Sequence, residues 1–317
     1  MSKWLLSVII MVSGLTAEAQ NNAQHTLYMV DIYRHNVAYG GFDRSLSANF
    51  NYRTQWAGLD GQPNTVYFNA HLPVYLLNGG AGFSLSTDKS GGLRITEMQL
   101  SYNRVRSFGR GIVSFGGSLG LRQLGIDGGV IRTPDGIYQG GFSHEDPILF
   151  IDSQAGSHLN WSLAFFTKTD FFDLGLSVRN LFANAKDIEG INFISSRQIN
   201  AYGAIPFFVN DLEIQASLYM KTNLQQWQTD MSVIVKSGNV FGGLSIRGFN
   251  ENSFDSAIFL GGVRLNEHYT LSYSYDVSLG GLSDFNQGSH EILINYNLNK
   301  LIGIGLPPEI IYNPRDL

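Results

Sequence analysis

The feature that most constrains this chain is a two-residue alternation of apolar and polar side chains, which recurs along most of its length. In residues 45–56, Leu46 and Phe50 fall on one face of an extended strand, whereas Asn49 and Arg53 fall on the other, because successive side chains of a strand point to opposite faces. The runs end at Gly, Asn, Asp or Pro, and no helical stretch separates them. Many such strands in one chain predict an all-β protein whose sheet closes into a barrel.

The alternation and the turn residues between the runs predict about fourteen strands. Their predicted ranges are 45–56, 64–72, 80–88, 93–106, 111–123, 158–167, 171–180, 197–205, 211–221, 226–236, 239–248, 256–265, 268–278 and 289–298. Runs 93–106 and 256–265 alternate less regularly and are the candidates for β-bulges. We therefore predict a transmembrane antiparallel β-barrel over residues 45–298.

The connections between the predicted strands supply an independent test of this fold. Every second connection is mostly short, whereas the other series includes the long ones, at 57–63, 124–157, 181–196 and 279–288. Short periplasmic turns and long outward loops are characteristic of outer-membrane barrels. The connection 124–157 also contains the apolar residues 148–151, which could fold inward, and it is our candidate for a lid over the lumen.

The composition agrees with a membrane barrel and excludes several other classes of protein. The chain is 44% hydrophobic and contains 36 glycines, and after its first residues no apolar run reaches the ~18 residues of a spanning helix. Its formal net charge of −5 gives no support for the binding of nucleic acid. The absence of cysteine excludes disulfides and thiol chemistry.

The two ends of the chain are predicted to lie outside the barrel wall. Residues 1–19 read as a secretory signal peptide, with Lys3, an apolar stretch and an Ala17-Glu18-Ala19 cleavage site. Residues 20–44 are then a periplasmic or lumenal segment, and residues 299–317 a periplasmic tail. Together with the barrel, these features predict export to the outer membrane of a Gram-negative cell.

Charged side chains on the polar strand faces are predicted to point into the lumen, because a charge facing lipid at mid-bilayer costs about 2–4 kcal/mol. Many other inward positions are Gly, Ser or Asn, which leaves room for a plug, a loop or a peptide. A ring of arginines could pass anions, or the arginines could pair with acids in a plugged interior. The charged residues concerned are Arg53, Arg122, Arg179, Glu213, Asp230, Arg247, Asp276 and Glu291.

Two tryptophans are predicted to belong to an interfacial girdle of aromatic side chains. Trp56 and Trp227 fall on the apolar face near the ends of their strands, where such girdles lie in membrane barrels.

Near the predicted start of the mature chain, Tyr28-Met29 is followed by Asn36-Val-Ala-Tyr-Gly-Gly41. This pair of segments resembles the YM…NPAYAG segment of the PorP/SprF family, outer-membrane proteins of type IX secretion and gliding motility, although Val37 replaces the usual proline. Tyr52-Arg-Thr-Gln-Trp56 and the following residues 58–65 are similar to its YRxQW…G…G.P.T stretch. Residues 172–177 and 288–292 also fit, whereas the C-terminal end lacks the cysteine that is common in the family.

The resemblance implies a role that no periodicity could reveal, namely help in the export or surface anchoring of particular substrates such as adhesins. The implied partners are outer-membrane lipid, a secreted adhesin or its C-terminal sorting domain, and periplasmic components of the secretion machinery. Our candidates for contacts with partners or for the lumen are Arg53, Gln55, Trp56, Asp60, Arg122, Arg179, Arg247, Asp276 and Glu291.

Two other functions are left open by the sequence: a porin-like solute channel and a passive barrel that anchors surface fibres. An enzyme is not expected, because no nucleophile motif stands before a helix. His144, Glu145 and Asp146 lie in a polar loop without the spacing of a metal site. We therefore expect no catalytic residues, no metal and no cofactor.

Overall fold

The chain folds into a closed antiparallel barrel of fourteen strands, with one small additional hairpin. The computed structural model describes residues 23–302, apart from 140, 147, 148, 150, 183, 189, 190, 250–252 and 282. The predicted signal peptide and most of the predicted C-terminal tail therefore lie outside the described residues.

The strands follow the predicted alternation closely. They are β1 (Ser47–Thr54), β2 (Asn64–Val74), β3 (Gly79–Ser90), β4 (Leu93–Phe108), β5 (Gly111–Asp127), β6 (Ser153–Thr169), β7 (Asp173–Arg179), β8 (Asn184–Ile188), β9 (Ile191–Ser195), β10 (Gln198–Val209), β11 (Leu212–Thr222), β12 (Trp227–Ser237), β13 (Val240–Phe249), β14 (Ser253–Arg264), β15 (Tyr269–Ser278) and β16 (Ser289–Asn297). Short 3-10 helices are the only helices in the described part of the chain, and none of them is long and apolar enough to cross a membrane.

Each barrel strand pairs with its neighbour in sequence, and the ring closes where β1 pairs with β16. The exception is β7, which pairs with β10, because β8 and β9 form a separate hairpin. Ser47 faces Asn297 across the closing pair, and Thr54 faces His290. No edge strand is left in the ring, so every barrel strand has a partner on both sides, as a lipid environment requires.

The two faces of the wall differ in exposure as the alternation demands. Along β1, Phe50 and Tyr52 are 44% and 42% exposed, whereas Asn51 and Arg53 are 0% and 1% exposed. The outer surface is thus apolar and the inner surface polar, which is the arrangement of a barrel that meets lipid outside.

The connections separate into two sets at opposite ends of the barrel. One end, here called the short-turn end, carries the turns 75–78, 109–110, 170–172, 210–211, 238–239 and 265–268. The other, the long-connection end, carries 55–63, 128–152, 180–197 and 279–288, as well as shorter links.

Several sequence predictions need correction. The connection predicted at 124–157 is 128–152, because β5 and β6 extend beyond the predicted strands, and the predicted loop 181–196 contains the β8–β9 hairpin. Of the two candidate bulges, β14 has a register shift where it pairs with β13, whereas β4 pairs on both sides without one.

Trp56 is a further correction. Strand β1 ends at Thr54, and Trp56 has a φ of +53°. The strand alternation therefore does not set the direction of its side chain. The predicted place of Trp56 in the aromatic girdle is no longer supported.

The lumen is occupied by the chain itself, through residues 23–44, which we call the lumenal segment. Leu27, Tyr28 and Ala38 of this segment are almost completely buried, and they form a core with wall residues such as Phe166 and Tyr202. The described residues of the candidate lid, connection 128–152, supply no member of this core: Ile151 is 50% exposed, and 148 and 150 lie outside the described residues.

Small wall residues let the lumenal segment approach closely. A Cβ atom on Gly80 would stand 2.2 Å from the Gly40 carbonyl oxygen, and one on Gly116 would stand 3.0 Å from the Ala38 Cα atom. The inward glycines of the wall therefore make space for the backbone of the lumenal segment. At Gly80 on β3, any residue with a Cβ atom would occupy that space.

Candidate functional site

The lumenal segment runs along the barrel interior, and specific hydrogen bonds fix it to the wall. The Asn36 side chain accepts a hydrogen bond from the Ala38 amide at 3.0 Å and donates one to the Phe165 carbonyl at 2.8 Å. The Tyr28 hydroxyl lies 2.8 Å from Ser232 Oγ. Because the lumenal segment is not part of the sheet, these bonds to the wall satisfy its buried polar groups.

Aromatic rings fill the rest of the interface between this segment and the wall. Tyr28 stacks on Tyr219 with ring centroids 5.1 Å apart. Tyr39 and Phe42 each meet Phe166 edge to face at 5.3 Å. Such contacts add to the burial of apolar area and pack the lumenal segment against β6 and β11.

Five buried charges from the wall form what we call the ion-pair cluster: Arg53, Asp230, Arg247, Asp276 and Glu291. Arg53 lies 2.7 Å from Asp276 and 3.0 Å from Glu291. Arg247 lies 2.7 Å from Asp230 and 2.9 Å from Asp276. Both arginines therefore contact two carboxylates, in a region where an unpaired charge would be costly.

Thr26 of the lumenal segment completes the ion-pair cluster. Its hydroxyl accepts hydrogen bonds from Arg53 at 2.9 Å and from Arg247 at 3.0 Å, and it donates to Asp276 at 2.9 Å. Its backbone amide donates to Glu291 at 2.8 Å. The cluster thus binds the lumenal segment to strands at the closing seam.

Burial strongly affects several ionisable groups of the lumenal segment, among them His25 and Asp31. Burial lowers the pKa of His25 to about 4, although the neighbouring Glu291 carboxylate opposes this shift. Burial likewise raises the pKa of Asp31 to about 6, against the influence of Arg34. Both shifts follow from the loss of water around the charged forms.

A cavity lies in the long-connection half of the lumen, and the lumenal segment forms part of its lining. It measures about 740 Å³, including the solvent at its mouth. Its ionisable lining contains four cations, Arg34, Arg122, Arg179 and Lys221, but only two carboxylates, Asp88 and Glu97. We call it the cationic cavity. Its other lining residues include Tyr67, Ile95, Asn180, Gln198, Tyr219 and Gln228.

The two carboxylates already have partners. Glu97 lies 3.2 Å from Arg179 and 4.0 Å from Arg122, and it accepts a hydrogen bond from Asn160 at 2.6 Å. Asp88 accepts one from Thr65 at 2.6 Å. Arg122 also donates to Asn180 at 3.3 Å.

Arg34 and Lys221, the remaining cations of the cavity, form no ion pair with these carboxylates. Arg34 donates to the Asn51 amide oxygen at 3.0 Å and covers the Tyr67 ring, with 4.3 Å between its guanidinium carbon and the ring centroid. Lys221 is only 5% exposed. Among the described residues, no hydrogen-bond or ion-pair partner of its ammonium group is found.

The structure brings the predicted site residues into three places. Arg53, Arg247, Asp276 and Glu291 are in the ion-pair cluster, and Arg122 and Arg179 line the cationic cavity. Gln55, Trp56 and Asp60 lie at the long-connection end after β1, where Asp60 is exposed and the Trp56 amide donates to Ser289 at 3.1 Å. Glu213 pairs with Lys236 at 2.9 Å and contacts none of the four predicted arginines.

Sequence reasoning missed Thr26, Arg34, Glu97 and Lys221 as lumen residues. Glu97 could have been found, because Ile95, Glu97 and Gln99 alternate with outward residues on β4. Thr26 and Arg34 belong to a segment without strand periodicity, so no pattern indicated their partners.

Comparison with solved structures finds barrels of similar fold at very low sequence identity. Omp33 of Acinetobacter baumannii is 6% identical with a TM-score of 0.47, covering 80% of this chain and 97% of that one. A TodX mutant, a monoaromatic hydrocarbon channel, is 10% identical with a TM-score of 0.43, covering 79% and 87%. A mutant of the Rh. blastica porin is 8% identical with a TM-score of 0.36, covering 80% and 98%. No functionally curated protein matches the chain.

The family comparison is far more specific. The profile of the type IX secretion system membrane protein PorP/SprF matches residues 17–296, which include the lumenal segment and nearly the whole barrel. The fourteen-stranded ring, its apolar outer face and this match agree on an outer-membrane location. The chain therefore belongs to the PorP/SprF family of type IX secretion system membrane proteins.

Proposed function

We propose that this protein assists the export or surface anchoring of specific type IX substrates, such as adhesins, as a non-catalytic docking barrel. The observation that carries the proposal is the occupied lumen: residues 23–44 lie inside the ring and form a buried core with the wall. A barrel packed in this way suits binding at its mouth better than the passage of solutes. This argues against the porin-like alternative.

In this proposal the long-connection end faces outward and the short-turn end faces the periplasm, as in other outer-membrane barrels. Gln55, Trp56 and Asp60 then lie at the outer rim, and Arg122 and Arg179 lie in the cavity just below it. These residues are our candidates for contact with the substrate. Arg53, Arg247, Asp276 and Glu291 instead hold the lumenal segment. The short turns and the tail after β16 are left to contact the secretion machinery.

The test is a deletion in the longest outward connection, made in cells that lack the chromosomal copy. Removing residues 131–142 leaves β5 and β6 complete, unlike a deletion of the predicted loop 124–157. We expect the barrel to assemble, as heat-dependent mobility on gels would show, while type IX substrates disappear from the cell surface. Normal surface display in cells without the protein would refute the proposal, and loss of retention with intact export would assign it to anchoring alone.

A further inference from the structure

The cationic cavity contains two neighbouring polar groups without partners. Lys221 on β11 faces Gln228 on β12 across one register pair, and both side chains line the cavity. Gln228 is 1% exposed, and its amide oxygen has no hydrogen-bond partner, whereas its amide nitrogen donates to Asp230 at 3.0 Å. The pair therefore offers one cationic donor and one neutral acceptor, both buried.

Groups of this kind are costly in a folded protein unless water or a ligand meets them. The group that complements Lys221 is an anion, and the group that complements Gln228 is a hydrogen-bond donor. A chemical unit that carries both side by side is the last residue of a polypeptide, with its free carboxylate and its amide N–H. Inorganic phosphate supplies the charge without an adjacent N–H.

The rest of the cavity agrees with a carboxylate ligand. Arg179 and Arg122 already bind one carboxylate, that of Glu97. The cavity therefore contains side chains suited to a carboxylate ligand. The four lining cations exceed the two lining carboxylates, and neither Arg34 nor Lys221 forms an ion pair with those carboxylates. Tyr67, Tyr219 and Ile95 provide apolar wall next to the charges.

We propose that the cationic cavity binds the C-terminal carboxylate and terminal N–H of a polypeptide that enters from the long-connection end. This inference rests on the proposed docking function and names the part of the substrate that is recognised. Lys221 and Gln228 hold the terminal residue, and Arg34 contributes charge.

The binding test uses the full-length protein in detergent and two synthetic peptides. Both have the sequence Gly-Ser-Gly-Ser-Gly-Ser with a neutral dye at the N-terminus; one ends in a free acid and the other in an amide. Fluorescence anisotropy should show saturable binding of the acid and about ten- to a hundredfold weaker binding of the amide, the range expected for a charge-assisted hydrogen bond.

Three variants locate the site. Lys221→Met should weaken binding of the acid peptide about as much as amidation does. Lys236→Met is the matched control, because Lys236 lies on β12 near the short-turn end and pairs with Glu213; its binding should be unchanged. Glu97→Gln should tighten binding, since it frees two arginines from a carboxylate inside the cavity.

Equal binding of the acid and the amide, or an unchanged affinity in Lys221→Met, would overturn the inference. So would displacement of the peptide by inorganic phosphate at equal or lower concentration, since the site would then recognise a bare anion. If Lys221→Met cells display substrates normally while cells without the protein do not, this inference fails and the docking function stands.

Discussion

The lumen contains two groups of buried charge that differ in whether the chain supplies their partners. In the ion-pair cluster each arginine contacts two carboxylates and the Thr26 hydroxyl. In the cationic cavity Lys221 is nearly as buried, yet the described part of the chain places no carboxylate within ion-pair distance of its ammonium group. Burial of charge therefore does not by itself distinguish a structural site from a binding site; the count of partners does.

The largest expected effect comes from removing the segment on which both groups depend. Deleting residues 24–43 takes away Thr26 and part of the cavity lining together with the core of the lumen. Because a ring of fourteen strands is wide enough for water when nothing fills it, we expect a steady conductance in planar bilayers, against background current for the intact protein. Deleting residues 131–142 serves as the control and should leave the current at background. A folded but silent 24–43 variant would contradict the assignment of this segment as the plug.

The next effect tests the ion-pair cluster alone. Arg247→Met leaves Asp230 and Asp276 with fewer partners, and breaking a buried pair in this way costs about 3–5 kcal/mol. Urea unfolding in lipid vesicles, followed by tryptophan fluorescence, should show this loss. Lys236→Met, at a partly exposed pair, should change the free energy of unfolding by less than about 1 kcal/mol. Equal losses in the two variants would remove the distinction drawn for the cluster.

A smaller effect is expected where the lumenal segment touches the wall without charge. Gly80→Ala places a Cβ atom 2.2 Å from the Gly40 carbonyl oxygen, and overpacking of this kind costs about 1–3 kcal/mol. Gly125→Ala is the matched strand control, because its Cβ would meet its nearest neighbour at 3.7 Å. The same unfolding measurement compares them, and a Gly80 variant as stable as the Gly125 variant would refute the close packing.

The smallest effect sharpens the comparison most. Lys221→Met removes a buried cation that has no partner, so the free energy of unfolding should stay within about 1 kcal/mol of the wild type or rise. A loss comparable to that of Arg247→Met would mean that Lys221 is a structural charge after all.

The wall of the barrel was predictable from the sequence because its physics is local. Period-two patterning places Phe50 outward and Arg53 inward whatever the rest of the chain does. The same pattern places Glu97 inward, because Ile95, Glu97 and Gln99 alternate with outward residues on β4. Connection lengths gave the two ends of the barrel for the same reason.

The filling of the barrel was not predictable in this way. The contact of Thr26 with Asp276 spans 250 positions of sequence, and residues 23–44 carry no strand periodicity. The sequence motif Asn36-Val-Ala-Tyr-Gly-Gly41 marked this segment through family resemblance, but only the fold explains it. Asn36 anchors the segment to β6, and Gly40 passes where a larger residue on β3 would collide.

The order of the chain has a consequence for biogenesis. The lumenal segment is synthesised before any strand, yet the ring closes only when β16, the last strand, pairs with β1. Since the contacts of this segment with the wall are buried inside the closed ring, we expect the sheet to wrap around its own first residues before the final pairing forms. The intermediate to seek on the insertion pathway is therefore a nearly complete sheet that already holds residues 23–44 and still presents the open edges of β1 and β16.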